Sequence, residues 1–125
     1  MSGLQINGAT VYPGFLNAAE QATLVTAVRG IVAQAPLFHP QTARGQKMSV
    51  RMTSAGALGW VSDRAGYRYQ AHHPSGAAWP AIPEPVLKVW RTVSGLDQDP
   101  DCCLVNYYDP SARMGAVISS LLSKL

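Results

Sequence analysis

The stretch from Leu58 to Gln70, LGWVSDRAGYRYQ, gathers three aromatic rings and two arginines within thirteen positions. A turn at Asp63 to Gly66 predicts a two-stranded hairpin. If the turn centres between Arg64 and Ala65, Trp60 falls opposite Tyr69 and Ser62 opposite Tyr67. Side chains alternate faces along a strand, so Trp60, Tyr67 and Tyr69 share one face. Three rings beside Arg64 and Arg68 suit the stacking of a nucleobase next to phosphate-binding cations. Cross-strand aromatic pairs also stabilise hairpins that bind nothing, and the pattern alone leaves both readings open.

A second pair is Asn106 and Tyr108 in CCLVNYY. At i and i+2 on a strand they project to one face, behind Leu104. An amide beside a phenol can hold a carboxylate or keto-acid through neutral hydrogen bonds. The alternative is a pair at the edge of the core, satisfied by backbone. His72 and His73 are adjacent in a loop, and His39 is remote. A non-heme iron site needs two His and a carboxylate converging on one point, and no His-x-Asp pair occurs. We expect the loop histidines to be solvated rather than ligands. The chain has no glycine-rich phosphate loop, no Gly-x-Ser-x-Gly elbow and no carboxylate pair placed for acid-base work. We therefore assign no catalytic residue and no metal ligand.

These residues need a scaffold. Ala9 to Leu16 reads as a short strand broken at Pro13-Gly14. Asn17, with Glu20 three residues on, forms a capping-box pattern for a helix over 18–34. Leu24, Val25, Val28, Ile31 and Val32 lie on one face of it, and Ala35-Pro36 ends it. MSVRMTSAG, from Met48, alternates as a strand. A second helix starts near Pro83, lined by Val86, Val89, Trp90 and Val93, and stops at Gly95. The expected order is β-α-β-β-β-α-β, an α+β layout with a mostly antiparallel sheet backed by helices.

The totals bound the partners. Hydrophobic residues make up 47% of the 125 positions and charged residues 14%, against roughly 25% charged in a typical soluble domain. Little charge is left to cover the surface. The formal net charge is +3, a mild lean, but Arg44, Lys47, Arg51, Arg64 and Arg68 put half the cations into residues 44 to 68, where Asp63 is the only acid. Cys102 and Cys103 are adjacent, so they point to opposite faces and cannot easily bond each other. They lack zinc-site spacing. We expect a reducing, cytoplasmic setting, no secretory signal and no membrane span.

Three segments carry a family resemblance: KMSVRMTSAGALGWVSDRAGYRY, WPAIP at 79 to 83, and CLVNYYDPSARMG at 103 to 115. Over about Ala9 to Gly115 the sequence resembles the AlkB family, iron(II)- and 2-oxoglutarate-dependent dioxygenases that remove alkyl lesions from DNA and RNA bases. The resemblance implies a nucleotide-recognition lid, residues 44 to 80, ahead of the first part of a double-stranded β-helix (jelly-roll) core. Trp60 matches the lid tryptophan that stacks on the flipped lesion base. Tyr67 and Tyr69 match the Gly-Tyr-x-Tyr tyrosines that contact the substrate strand, which implies that Arg68, between them, is part of the substrate contact. Asn106 and Tyr108 match the Asn-x-Tyr pair that binds 2-oxoglutarate. Tyr107 stands between them, where relatives are commonly basic, and the resemblance implies that Asn106, Tyr107 and Tyr108 together bind 2-oxoglutarate.

The resemblance also marks a departure. In the family, the strand after the Arg-x-Gly-like turn runs into Leu-His-x-Asp, whose His and Asp bind iron. Here residues 116 to 125 read AVISSLLSKL. We expect 1–115 to be the N-terminal part of such a domain and 116–125 a divergent tail, in a truncated or frame-shifted copy. Such a chain is expected to be monomeric and inactive alone. Its implied partners are alkylated single- or double-stranded DNA and possibly RNA. The competing expectation is a non-enzymatic nucleic-acid-binding fragment that uses the Trp60/Tyr67/Tyr69 hairpin.

Overall fold

The structure, a computed structural model, describes residues 2 to 110. The expected strand beyond Gly115, the tail 116–125 and most of the turn at 109–113 lie outside them. Eight elements follow in chain order: β1 (Leu4–Ile6), β2 (Ala9–Val11), α1 (Ala18–Gln34), β3 (Arg51–Gly56), β4 (Gly59–Asp63), β5 (Gly66–Gln70), α2 (Glu84–Ser94) and β6 (Cys102–Tyr107). The strands pair as three antiparallel two-stranded ladders: β1 with β2, β3 with β6, and β4 with β5. The α+β class stands, with two helices against antiparallel strands.

The order carries one strand more than expected. β1 was missed, although Asn7-Gly8 supplies the turn: both residues have positive φ, 49° and 82°. Asn-Gly is a strong short-range hairpin signal because a tight hairpin turn requires that left-handed backbone. The other departure is at β3, which begins at Arg51 rather than Met48. Residues 48 to 50 turn back instead, with the Met48 N–H donating to the Pro40 carbonyl (2.8 Å) and the Met48 carbonyl lying 2.8 Å from His39 Nδ1.

Helix α1 forms where its cap dictates. The Glu20 N–H donates to Asn17 Oδ1 (2.8 Å), and the Asn17 N–H donates to Glu20 Oε1 (3.0 Å). That reciprocal box satisfies two of the donors a helix start leaves open. At the other end the Thr53 hydroxyl donates to the Ala35 carbonyl (2.7 Å), fastening the helix end to β3. Thr53 is fully buried, so this bond is shielded from water. Helix α2 starts after Pro83 and ends at Gly95, whose φ of 67° is the left-handed cap.

The core sits between the end of α1, strands β3 and β4, and Trp79. Ile31, Ala35, Met52, Ala55, Val61 and Trp79 are buried, and Phe38 packs against the Ala35–Val61–Trp79 cluster. Much of the apolar stripe on α1 is not covered. Leu24, Val25, Val28 and Val32 line an open groove with Val105 and Tyr107 of β6. Among the described residues, no helix is long and apolar enough to cross a membrane.

Candidate functional site

The β4–β5 hairpin adopts the expected register: Trp60 pairs with Tyr69, Ser62 with Tyr67 and Asp63 with Gly66. Two residues, Arg64 and Ala65, make the turn, and the Ala65 N–H donates to Asp63 Oδ1 (2.9 Å). The two faces then differ sharply. One buries Val61, 3% exposed, in the core. The other carries Trp60, Tyr67 and Tyr69, with Tyr67 77% and Tyr69 62% exposed. Trp60 and Tyr67 stack diagonally across the ladder, centroids 6.4 Å apart and planes inclined by 26°. Flat, exposed rings on an anchored strand pair form a surface on which another ring can stack.

Arg68 is on the opposite face, beside Val61. Its guanidinium grips Asp63 with both terminal nitrogens (3.0 Å each) and donates through Nε to Gln70 (3.0 Å). The bond from Arg68, and after it the Ala65 N–H, hold the Asp63 carboxyl below the usual carboxylate range. The structure thus brings Trp60, Tyr67 and Tyr69 together and turns Arg68 away from them.

The root of the hairpin is held by Trp79. Its indole N–H donates to the Gln70 carbonyl (2.8 Å), and its ring fills the space a side chain at Gly59 would need. Gly59 and Gln70 are the last pair of the ladder. Behind Trp79 lies His73, and here the expectation of solvated loop histidines is corrected for one of the two: His72 is exposed, but His73 is 7% exposed. Its ring meets Phe38 and Trp79 edge-on at 5.2 and 5.3 Å. The Ser75 N–H donates to Nδ1 (3.0 Å), so Nδ1 is the acceptor and Nε2 carries the proton given to the Pro36 carbonyl (2.7 Å). Both ring nitrogens are committed, which makes this a structural histidine. Nothing local in the sequence signals it, because Pro36 and Phe38, which accept its proton and pack on its ring, are distant along the chain.

On β6, alternation sorts the second candidate group. Asn106 pairs with Met52 and Tyr107 with Arg51. Asn106 lies on the face opposite Tyr107 and Tyr108 follows directly after the strand; neither side chain makes a hydrogen bond to the described residues. Tyr107 projects towards the α1 groove. There the Arg51 guanidinium lies 4.6 Å from the Tyr107 ring centroid and bonds Asp109 at 2.9 Å. The sequence presents Arg51 only as one cation among several. Its position across from Tyr107 makes it the residue that ties down the end of β6. Burial pushes the Cys103 thiol up, with Cys102 adding to the shift, and both cysteines are free.

Comparison with known proteins adds to this geometry. The family model described as the 2OG-Fe(II) oxygenase superfamily matches residues 8–116. The alpha-ketoglutarate-dependent dioxygenase AlkB homolog of Caulobacter vibrioides is 45% identical over 111 residues, covering 88% of this chain and 50% of the relative. The chain belongs to the AlkB family. The Escherichia coli dioxygenase AlkB is 37% identical over 113 residues, 86% of this chain and 51% of that protein. The chain spans about half the length of these curated AlkB relatives.

The family description names iron(II) and 2-oxoglutarate, and the two fit differently. Free donors at Asn106 and Tyr108 suit a keto-acid carboxylate. Iron finds no such set: among the described residues no three His, Cys, Asp or Glu side chains gather as a metal site. Residues 111 to 125 contain none of those four types. The residues of this chain do not fit the ion.

Proposed function

We propose that residues 44 to 80 form the nucleotide-recognition lid, and β3–β6 the first edge of a double-stranded β-helix, of an AlkB-type oxidative dealkylase. Its substrates are alkylated bases in DNA, with RNA as a further class, and its setting is cytoplasmic DNA repair by a monomer. The observation that carries this reading is the two-faced hairpin, with Val61 in the core and the half-buried Trp60 stacked with the exposed Tyr67 on the other face. Trp60 would stack on a base taken out of its helix, because the alkyl group of a paired base is out of reach. Tyr67 and Tyr69 would hold the neighbouring strand. Asn106 and Tyr108 would donate to 2-oxoglutarate, with Tyr107 and Arg51 holding their strand from behind. Iron and 2-oxoglutarate would supply the oxidising chemistry in a complete enzyme of this type; these residues would bind and orient. Since the chain's own side chains do not fit iron, we expect no turnover by the 125 residues alone.

The test is binding. A labelled single-stranded oligonucleotide carrying one N-alkylated base should bind more tightly than its unmodified twin. Trp60→Ala should weaken binding by roughly tenfold to a hundredfold, since stacking one base is worth about 1–3 kcal/mol. Equal affinity for both strands, unchanged in the variant, would remove the reading. A non-enzymatic nucleic-acid-binding fragment is the second reading, favoured by the poor fit to iron. It keeps the loss in Trp60→Ala and lacks the preference for the alkylated base.

A further inference from the structure

Five cations cluster in residues 44 to 68, and their fates differ. Arg51 is paired with Asp109 and Arg68 with Asp63. Arg44, Lys47 and Arg64 are exposed, and none has an ion-pair partner among the described residues. The fold brings these three to one place. Residues 41 to 47 double back on themselves: Gln41 bridges to Lys47, and the Thr42 N–H donates to the Gln46 carbonyl (2.8 Å). Two bonds fasten this loop to the aromatic hairpin, from the Gln41 N–H to the Ser62 carbonyl (2.9 Å) and from the Ser62 hydroxyl to the Gln41 carbonyl (2.7 Å). At the tip the Arg64 guanidinium occupies the space a side chain at position 45 would take. Gly45, at φ 82°, leaves that space open.

Three unpaired cations therefore stand at the turn end of the aromatic surface. The nearest acid in sequence, Asp63, is neutralised on the reverse face by Arg68. Like charges held together without a counter-charge disfavour the folded chain, and a polyanion relieves them. We infer that Arg44, Lys47 and Arg64 form a phosphodiester-binding bracket that holds the nucleic-acid backbone beside the base stacked on Trp60. Rings for bases next to cations for phosphates favour a nucleic-acid strand over an anionic membrane, which has no bases to stack. The inference rests on the hairpin being a nucleic-acid surface and is independent of the oxidative chemistry.

The experiment measures the affinity of a short labelled oligothymidylate across a potassium chloride series. Each phosphate contact on a single strand contributes about 0.7 to the slope of log affinity against log salt. The triple variant Arg44→Gln/Lys47→Gln/Arg64→Gln should flatten that slope by about 2. The control Arg29→Gln/Lys88→Gln, which removes two cations elsewhere, should leave it unchanged. An unaltered slope in the triple variant overturns the bracket, as does a control that flattens the slope equally. So does binding to phosphatidylserine vesicles as tight as to the oligonucleotide. The two proposals fail separately: a flattened slope with a loss in Trp60→Ala but no preference for an alkylated base keeps the bracket and removes the dealkylase reading.

Discussion

Single residues decide how firmly the site is seated. Thr53 shows the scale of one bond: its hydroxyl reaches the Ala35 carbonyl at 2.7 Å in a fully buried position. Thr53→Val keeps the shape and leaves that carbonyl without its donor. A buried acceptor left unsatisfied costs about 1–3 kcal/mol. The variant should unfold at a lower denaturant concentration with an unchanged slope, and an unshifted midpoint would show the bond contributes nothing. Arg51 works in the other direction. Its Nε is buried without a partner, a cost accepted while the other end of the guanidinium holds Asp109 and covers Tyr107.

At the scale of elements, the β4–β5 hairpin carries an acid-sensitive tie. Asp63 has its folded value lowered, chiefly by Arg68, so the tie contributes at pH above the ordinary aspartate value. It is lost as pH falls through the lowered value. Affinity and hairpin order, read by the amide resonances of residues 59 to 70, should therefore hold at neutral pH and fall only in strong acid. In Asp63→Asn that acid step should vanish; a step that survives would assign it to another group. Elements with local signals were legible. The capping box gave the start of α1, Ala35-Pro36 gave its end, and the two-residue turn gave the hairpin register, because each depends on residues a few positions apart. β3 was overrun by three residues because alternation at Met48 to Val50 is real, but the bonds to Pro40 and His39 that divert the chain are tertiary. The burial of His73 was illegible for the same reason. Asn106 and Tyr108 were paired by period-two spacing, and the strand stops at Tyr107, one residue short of the second. That Tyr107 faces away follows from the same spacing, once the strand rather than the motif is used to sort side chains.

For the whole molecule, the distribution of chemistry is uneven. The proposed recognition surfaces lie on the hairpin, the 41–47 loop and the end of β6, while no metal donor set is present among the described residues. Apolar surface also remains open, with Val25 48% and Leu104 46% exposed, as the low charge content anticipated. The purified 125-residue chain, given ferrous ion, ascorbate and an alkylated oligonucleotide, should consume no 2-oxoglutarate above a protein-free blank. Iron-dependent consumption that follows chain concentration would overturn this.

The aromatic surface is pinned at both ends. Trp79 nails its root through Gln70 and Gly59, and the Asp63–Arg68 grip closes its tip. On the proposed reading, an arriving base would meet a platform already assembled, the conformational freedom usually surrendered at the moment of docking having been given up earlier, when the chain folded. Association should accordingly proceed in one kinetic phase, without a slow rearrangement after encounter.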